Sequence, residues 1–167
     1  RFKKFNQDWK KFVFDTGIHT IYGESGVGKS SLLDAFQGKR LKDSLNFEMN
    51  ISLDPAVKVY RIFHNPDHQI IASTVSNEIT FAGECKQLDP KQLKEILDRN
   101  LKYLPDHIDP MMNPGYLSGG EKELLNLVTA LDFDPDILLI DDGLSFLSQE
   151  NKKHCLAMMK DWTKRSG

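Results

Sequence analysis

The sequence predicts an α/β domain with a helical insertion, and three observations lead to this fold class. The chain begins with short apolar segments around a Gly-rich loop, continues into a stretch with apolar residues at helical spacing, and returns to an apolar strand near its end. Its 167 residues are 40% hydrophobic and 28% charged, which suits one globular domain with a buried core. No internal repeat or low-complexity linker divides the chain, so we expect residues 1–167 to form a single domain.

The first part of the chain is predicted to alternate strands with one helix. Residues 12–14 and 18–22 carry β-branched and aromatic side chains and predict two short strands joined by a turn. Residues 30–37 predict a helix, because their apolar side chains share one face and a glycine follows them. Two more strands are predicted over 51–53 and 57–63.

The middle of the chain is predicted to be helical from about Val75 to Leu131. Pro90 opens a segment with apolar residues at helical spacing, and three later prolines (Pro105, Pro110 and Pro114) predict a loop. A helix over 121–131 follows, and the apolar run 137–140 then predicts a fully buried strand.

Composition excludes several classes of function. The net charge of −2 gives no overall basic field for nucleic acid, and we interpret the lysines near the start of the chain (Lys3, Lys4, Lys10 and Lys11) as a solvated face. The two cysteines, Cys85 and Cys155, are far apart and predict no disulfide scaffold. The five histidines show no metal-ligand spacing, and the longest apolar run is far too short to cross a bilayer. We therefore expect a soluble protein whose only route to a membrane is a partner.

Residues 23–30 read Gly-Glu-Ser-Gly-Val-Gly-Lys-Ser and match the phosphate-binding pattern GxxxxGK[ST] at every fixed position. Glycines let the backbone N–H groups approach phosphate oxygens, and the helix that starts here adds the partial positive charge of its N-terminus. Lys29 would supply a cation for the β- and γ-phosphates, and Ser30 a hydroxyl for Mg²⁺. The motif follows an apolar segment and opens a predicted helix, which is the context that it requires.

The segment Leu117-Ser118-Gly119-Gly120-Glu121 allows two interpretations. A serine and two glycines before a helix can form a second anion cradle, in which N–H groups and a hydroxyl face a phosphate. The same residues can simply cap the helix, since serine is a common N-cap. The position of the segment, about 90 residues after the Gly-rich loop and 20 before the apolar strand 137–140, favours the cradle. Asp141 ends that strand, where α/β folds place ligands.

These three motifs, in this order, resemble those of ABC ATPases. The resemblance covers essentially the whole chain and implies a P-loop NTPase core of the ABC type, with a RecA-like sheet, a short antiparallel β region and a helical subdomain. It divides the domain into a core lobe (1–72 and 132–167) and a helical signature subdomain (73–131). The implied ligands are ATP and Mg²⁺.

The resemblance also implies roles for individual residues. It assigns Asp142 to the place of the family's catalytic glutamate, with His64 and Lys29 as further catalytic residues, and it gives Asp141 a role in the Mg²⁺ shell through water, together with Ser30. Phe5 is the preferred adenine-stacking aromatic, with ordinary strand packing as the alternative. The residues implied to bind ATP are Gly23, Glu24, Ser25, Gly26, Val27, Gly28, Lys29, Ser30, Ser31 and Phe5. Those implied to face the ATP of a partner subunit are Leu117, Ser118, Gly119, Gly120 and Glu121.

Residues 62–82 carry a narrower resemblance. The stretches IFHNPDHQII and TVSNEITFA are similar to the segments around the Q-loop in ATPases of energy-coupling-factor and cobalt-type importers. The resemblance implies an ATP-hydrolysing importer subunit that works with a second ABC ATPase subunit, identical or paralogous, and with an integral membrane transporter subunit. It implies a place at the cytoplasmic face of the membrane and no nucleic acid partner.

The sequence departs from the family pattern at the residues that handle water and subunit contact. His64 stands in place of the Q-loop glutamine, and Ser148 in place of the D-loop aspartate. Asp142 is one methylene shorter than glutamate, which is roughly 1.4 Å, and a misplacement of about 1 Å can cost on the order of a hundredfold in rate. Glu123 lies where the family often has glutamine or arginine. The chain also ends before the family's switch histidine, so we expect an incomplete domain.

The departures leave an alternative open: a degenerate ABC module that binds ATP and dimerises but hydrolyses it weakly, in a regulatory or structural role. An ATPase of DNA repair or chromosome maintenance is disfavoured, because only 47 residues separate Gln69 from Leu117 and they contain no sustained heptads. A P-loop kinase has no use for the segment 117–121.

Overall fold

The structure, a computed structural model, describes residues 14–38, 51, 53–142 and 144–165. Its regular elements, in chain order, are α1 (Lys29–Phe36), β1 (Val59–Ile62), α2 (Val75–Cys85), α3 (Pro90–Leu101), α4 (Gly119–Asp132), β2 (Ile137–Ile140) and α5 (Gln149–Arg165). Two short 3-10 helices, Pro66–His68 and Pro114–Tyr116, lie in the connections. Helices therefore surround a strand pair, and the predicted α/β class is confirmed.

The two strands form the parallel pair that positions the candidate site. Val59 lies opposite Ile137 and Ile62 opposite Ile140, and the pairing continues by one bond from Asp141 N to Ile62 O at 3.0 Å. Parallel strands end at the same edge of a sheet. The residues that follow β1 and β2 are thus brought together, although about 80 positions separate them in sequence.

Helix α4 lies at the centre of the core. Every residue from 123 to 130 is buried, so the helix is enclosed on all sides instead of presenting one apolar face. The predicted apolar face is present, with Leu125 and Leu127 fully buried, and α4 packs against α2 and β1. Its buried polar residues bond internally: Asn126 Nδ2 donates to Pro66 O at 2.9 Å, and Thr129 donates to the Leu125 carbonyl at 3.1 Å. The Asn126 amide nitrogen and the Thr129 hydroxyl each donate a hydrogen bond that offsets their burial, whereas Asn126 Oδ1 has no partner among the described residues.

The helix starts follow local sequence signals. Asp89 and Gln92 form a reciprocal capping box at α3, and Ser118 and Glu121 form another at α4. Thr74 caps α2 by accepting a bond from Asn77 N. The predicted helices are confirmed to within two residues at each start.

Two predictions about strands differ from the structure. Residues 18–22 form no strand, because they have no hydrogen-bonded neighbour among the described residues and their side chains are exposed. Residues 51 and 53 are not in a strand either, and 12–13 and 52 lie outside the described residues. Within the described residues, only β1 and β2 form a sheet. The antiparallel β region, the separate helical subdomain and the division at 72/73 and 131/132 remain predictions.

Helix α5 was not among the predicted elements, although Cys155, Met158 and Met159 have the i, i+3, i+4 spacing of one helix face. It packs against α4 through Cys155, Met158 and Met159, all of which are buried. Burial raises the pKa of the Cys155 thiol to about 11, with the nearby Glu123 carboxylate adding to the effect, so this cysteine stays a neutral thiol. In the described residues, no helix is long and apolar enough to cross a membrane.

Candidate functional site

The Gly-rich loop leads directly into α1, as its pattern predicts. Gly26 and Gly28 have φ angles of 78° and 106°, a left-handed conformation that a side chain would strain. Lys29 folds back over the loop, and its ammonium donates to the carbonyls of Gly23 at 2.9 Å and Glu24 at 3.0 Å. A phosphate that entered the loop would replace these two weak acceptors with a charged one. Residues 23–27 are exposed, so the loop is accessible.

The loop and the end of β2 meet at one pair of side chains. Ser30 Oγ donates to Asp141 Oδ1 at 2.9 Å, across 111 positions of sequence. Ser31 is the next residue of α1, and Phe5 lies outside the described residues. The structure therefore places the two oxygen donors predicted for Mg²⁺ side by side.

Arg61, which the sequence analysis did not single out, lies beneath this pair. Its guanidinium is buried and makes two ion pairs of 2.5 Å, from Nη1 to Asp34 Oδ1 and from Nη2 to Asp141 Oδ2. Burial lowers the pKa of Arg61, but the hydrogen bonds and charges of Asp141 and Asp34 raise it more, so the net shift is upward. An arginine inside an otherwise apolar strand, Val-Tyr-Arg-Ile, is the signal that could have revealed it.

His64 and Asp142 face each other at the ends of β1 and β2. Nδ1 of His64 lies 3.7 Å from Oδ2 of Asp142, which is too long for a direct hydrogen bond and short enough for one water to bridge. Both side chains are exposed, and Asp142 has a φ of 55°, a conformation that aspartate tolerates better than most residues. His64 and Asp142, which the family resemblance implies to be catalytic, therefore lie beside each other.

Gln69, a glutamine five residues after His64, uses its side chain to bond the backbone at the end of β1. Its Oε1 accepts from Phe63 N at 2.9 Å, and its Nε2 donates to Arg61 O at 2.8 Å. A side chain that bonds the backbone at the end of β1 is not available to a nucleotide. This geometry favours His64, and not Gln69, as the residue that faces Asp142.

The segment 117–121 forms the N-terminus of α4 and caps it. Ser118 Oγ accepts from Glu121 N at 3.4 Å, and Glu121 Oε2 accepts from Ser118 N at 2.7 Å. His107 Nε2 lies 2.7 Å from Glu121 Oε1. Burial raises the pKa of Glu121, but the bonds with Ser118 and His107 outweigh it and lower the pKa overall. The segment is therefore a helix cap in this structure.

The two glycines of this segment allow it to pack closely against Phe146. A Cβ on Gly120 would lie 3.0 Å from the Phe146 carbonyl oxygen, and one on Gly119 would lie 3.3 Å from the Phe146 ring. Beside them is a cavity of about 470 Å³ lined by residues 118–121 with His107 and Phe146, among others. Among the described residues that line it, none belongs to the Gly-rich loop.

Glu123 fastens α4 to the segment after β2. Its carboxylate is almost fully buried and accepts from Phe146 N at 3.1 and 3.2 Å, with further backbone bonds from Ser145 and Leu147. Burial raises the pKa of Glu123, and the three backbone N–H groups offset part of that rise. The residue therefore sets the path of the chain between β2 and α5.

We predict that Glu123→Gln changes how stability depends on pH. Because the folded pKa of Glu123 lies above its ordinary value of 4.5, the folded chain keeps this carboxyl protonated up to a higher pH than the unfolded chain does. This group's contribution is fully present below pH 4.5 and is lost as pH rises through the folded pKa. The melting temperature of the variant minus that of the native chain should rise from pH 4.5 upwards. An equal difference at every pH would contradict the prediction.

Comparisons of the sequence with known proteins agree with these motifs. The sequence profile described as ABC transporter matches residues 12–145. The energy-coupling factor transporter ATP-binding protein EcfA1 of Mycoplasma capricolum subsp. capricolum is 34% identical in an alignment 158 positions long, which covers 89% of this chain and 38% of that protein. Proteins of the same name are 31% identical in Mycoplasma mobile (89% and 57%) and 26% identical in Streptococcus thermophilus (98% and 65%). The chain thus spans between 38% and 65% of the length of these relatives.

Proposed function

The chain belongs to the ABC transporter family, and from this premise we propose that it binds and hydrolyses ATP as one subunit of an energy-coupling-factor type importer. The observation that carries the proposal is the contact of Ser30 with Asp141, because it joins the Gly-rich loop to the acidic strand end in one site. Relatives that bear the transporter name support the importer assignment.

Mg²⁺ fits the residues of this site. A hydroxyl and a carboxylate are hard oxygen donors, which Mg²⁺ prefers, and it usually combines one or two such protein ligands with phosphates and water. No group of three or more His, Cys, Asp or Glu able to hold a metal occurs in the part of the chain that the structure describes. We infer that Ser30 and Asp141 would hold the ion together with a nucleotide, with Asp141 acting through water. The ion would supply charge neutralisation at the phosphates.

This chain's residues divide the remaining work. The Gly-rich loop and Lys29 bind the phosphates, and Ser31 lies beside them at the start of α1. Asp142 and His64 orient an attacking water and accept its proton, since both lie at the sheet edge where the γ-phosphate would point. Phe5 remains the proposed adenine contact.

The cavity at the start of α4 supports a dimeric mechanism. Its described lining contains residues 118–121 but none of the Gly-rich loop, which fits a nucleotide held by the loop of one subunit and contacted by residues 118–121 of another. We propose that two ABC subunits, identical or paralogous, enclose ATP between them and drive an integral membrane subunit. The place of the chain is then peripheral, on the cytoplasmic face.

We predict that Ser118→Asp prevents nucleotide-driven dimerisation and that Ser118→Asn permits it. Aspartate and asparagine both cap helices as well as serine does. Only aspartate adds a negative charge, which would repel a γ-phosphate. Light scattering with a non-hydrolysable ATP analogue and Mg²⁺ should show dimers of the native chain and of Ser118→Asn alone. If the two variants behave alike, the segment is only a cap.

The transporter assignment has its own test. The protein, at native expression, should be recovered from detergent-solubilised membranes together with an integral membrane protein. Recovery without such a partner would contradict the assignment and leave ATP binding unaffected.

A further inference from the structure

We propose that Arg61 is a positioning residue for Asp141, which holds that carboxylate in the orientation that a nucleotide-bound metal ion requires. The metal role of Asp141 belongs to the proposed function, and the inference rests on it in that respect. The contacts of Arg61 belong to the structure itself.

The first step is the closed circuit of contacts around Arg61. Its guanidinium bridges Asp34 and Asp141, each at 2.5 Å, and Asp141 in turn accepts from Ser30 at 2.9 Å. Ser30 and Asp34 lie four residues apart on α1, so they stand one above the other on the same side of the helix. The circuit therefore links the start of α1, the strand β1 and the end of β2.

Each oxygen of the Asp141 carboxylate has its own hydrogen-bond partner. Arg61 takes Oδ2, and Ser30 takes Oδ1. A carboxylate with one oxygen held by a buried guanidinium cannot rotate freely, so its other oxygen stays turned towards the Gly-rich loop. Arginine suits this task because its planar fork presents separate N–H groups in fixed directions.

The Arg61 guanidinium at the centre of these contacts is buried. The Arg61 side chain is only 5% exposed, and the Phe63 ring lies 5.1 Å from its guanidinium carbon. A buried charge is costly unless it is paired and hydrogen-bonded, so a guanidinium in this place persists because of its two carboxylates. Water has little access to the guanidinium itself, so its hold on Asp141 Oδ2 is in place before any nucleotide arrives.

The test compares nucleotide affinity with and without Mg²⁺. The variant Arg61→Met/Asp34→Asn removes one positive and one negative charge, so the net charge near Asp141 is unchanged while its anchor is lost. In the native chain, affinity for a non-hydrolysable ATP analogue should increase when EDTA is replaced with Mg²⁺. We expect this increase, the Mg²⁺ gain, to be about three- to tenfold smaller in the variant, because binding of the ion must then order the freed Asp141 side chain. Affinity in EDTA should stay within about twofold, because Lys29 and the loop are untouched.

The matched control is Arg99→Met/Asp132→Asn. This pair also joins an arginine to a mostly buried aspartate at 2.6 Å, but it connects α3 to α4. It should lower the melting temperature and leave the Mg²⁺ gain unchanged. Arg61→Lys is the milder variant: it keeps the charge without the fork, and we expect a fall of about two- to fivefold in the Mg²⁺ gain.

Three results would overturn the proposal. The first is an increase in affinity with Mg²⁺ that is as large in the Arg61 variants as in the native chain. The second is a larger increase than in the native chain, which would mean that the charge of Arg61 matters more than its positioning of Asp141. An equal fall in the Asp141→Asn background would show that Arg61 does not act through Asp141.

A second measurement needs no nucleotide. Melting temperatures of Arg61→Met, Asp141→Asn and the double variant should be non-additive, because both substitutions break the same contact. Additive effects would overturn the link. If the native chain bound no ATP analogue, the proposed function would fail, while this cycle would still decide whether Arg61 holds Asp141.

Discussion

Replacing Lys29 with alanine is expected to weaken ATP binding by at least about a hundredfold. In the structure its ammonium donates to the Gly23 and Glu24 carbonyls, so it is already folded over the loop that the phosphates would enter. Each hydrogen bond to a charged group contributes about 1.5–3 kcal/mol, and two such bonds to phosphate oxygens account for the expected loss. Equilibrium titration with a fluorescent ATP analogue would measure it.

Lys86→Ala is the matched control for Lys29. Lys86 also donates to a backbone carbonyl, that of Asp132 at 2.8 Å, but it lies at the end of α2. Its replacement should leave the affinity for ATP within about twofold, since it loses one exposed contact far along the chain from the loop. If Lys29→Ala bound ATP as Lys86→Ala does, the assignment of the Gly-rich loop would be wrong.

The second large effect is expected from Asp142→Asn, which should reduce the rate of ATP hydrolysis by about 10²–10³-fold at saturating ATP. The amide keeps the size of the side chain but can neither accept a proton nor pair with a charged His64. Affinity for ATP should stay within about threefold, because Asp142 does not touch the Gly-rich loop. Single-turnover and steady-state rates would separate chemistry from product release.

Asp136→Asn serves as the control, since this carboxylate lies at the opposite end of β2 and accepts from Lys58 N at 2.8 Å. It should keep the native rate. An unchanged rate in Asp142→Asn would show that Asp142 does not handle the water. A native chain that binds ATP but hydrolyses it no faster than Asp142→Asn would favour the weakly hydrolysing module left open by the sequence.

The pairing of His64 with Asp142 bears on that alternative. Each residue departs from the family pattern, and each alone suggests impaired hydrolysis. In the structure the two departures face each other at 3.7 Å, so we expect both side chains to act on the same water. We expect His64→Gln and Asp142→Glu to show a strong coupling in rate, which a double-mutant cycle would measure.

The local elements of the site could be read from the sequence. The loop 23–30, the capping box of Ser118 with Glu121, and the strand 137–140 each depend on residues a few positions apart, so their patterns carry the structure directly. The strand predicted over 18–22 is absent from the structure. A strand forms only when another strand pairs with it, and a short sequence pattern does not contain that partner.

The phosphate-binding, signature and acidic-strand motifs, in the order of the ABC family, could be recognised from the amino-acid sequence alone. The pairing of distant side chains became visible in the folded chain: His64 with Asp142, Glu123 with the backbone of 145–147, and Arg61 with Asp34 and Asp141. The physical reason is distance along the chain. These contacts join residues separated by 22 to 80 positions, and they arise because the two parallel strands and the buried part of α4 bring those positions together.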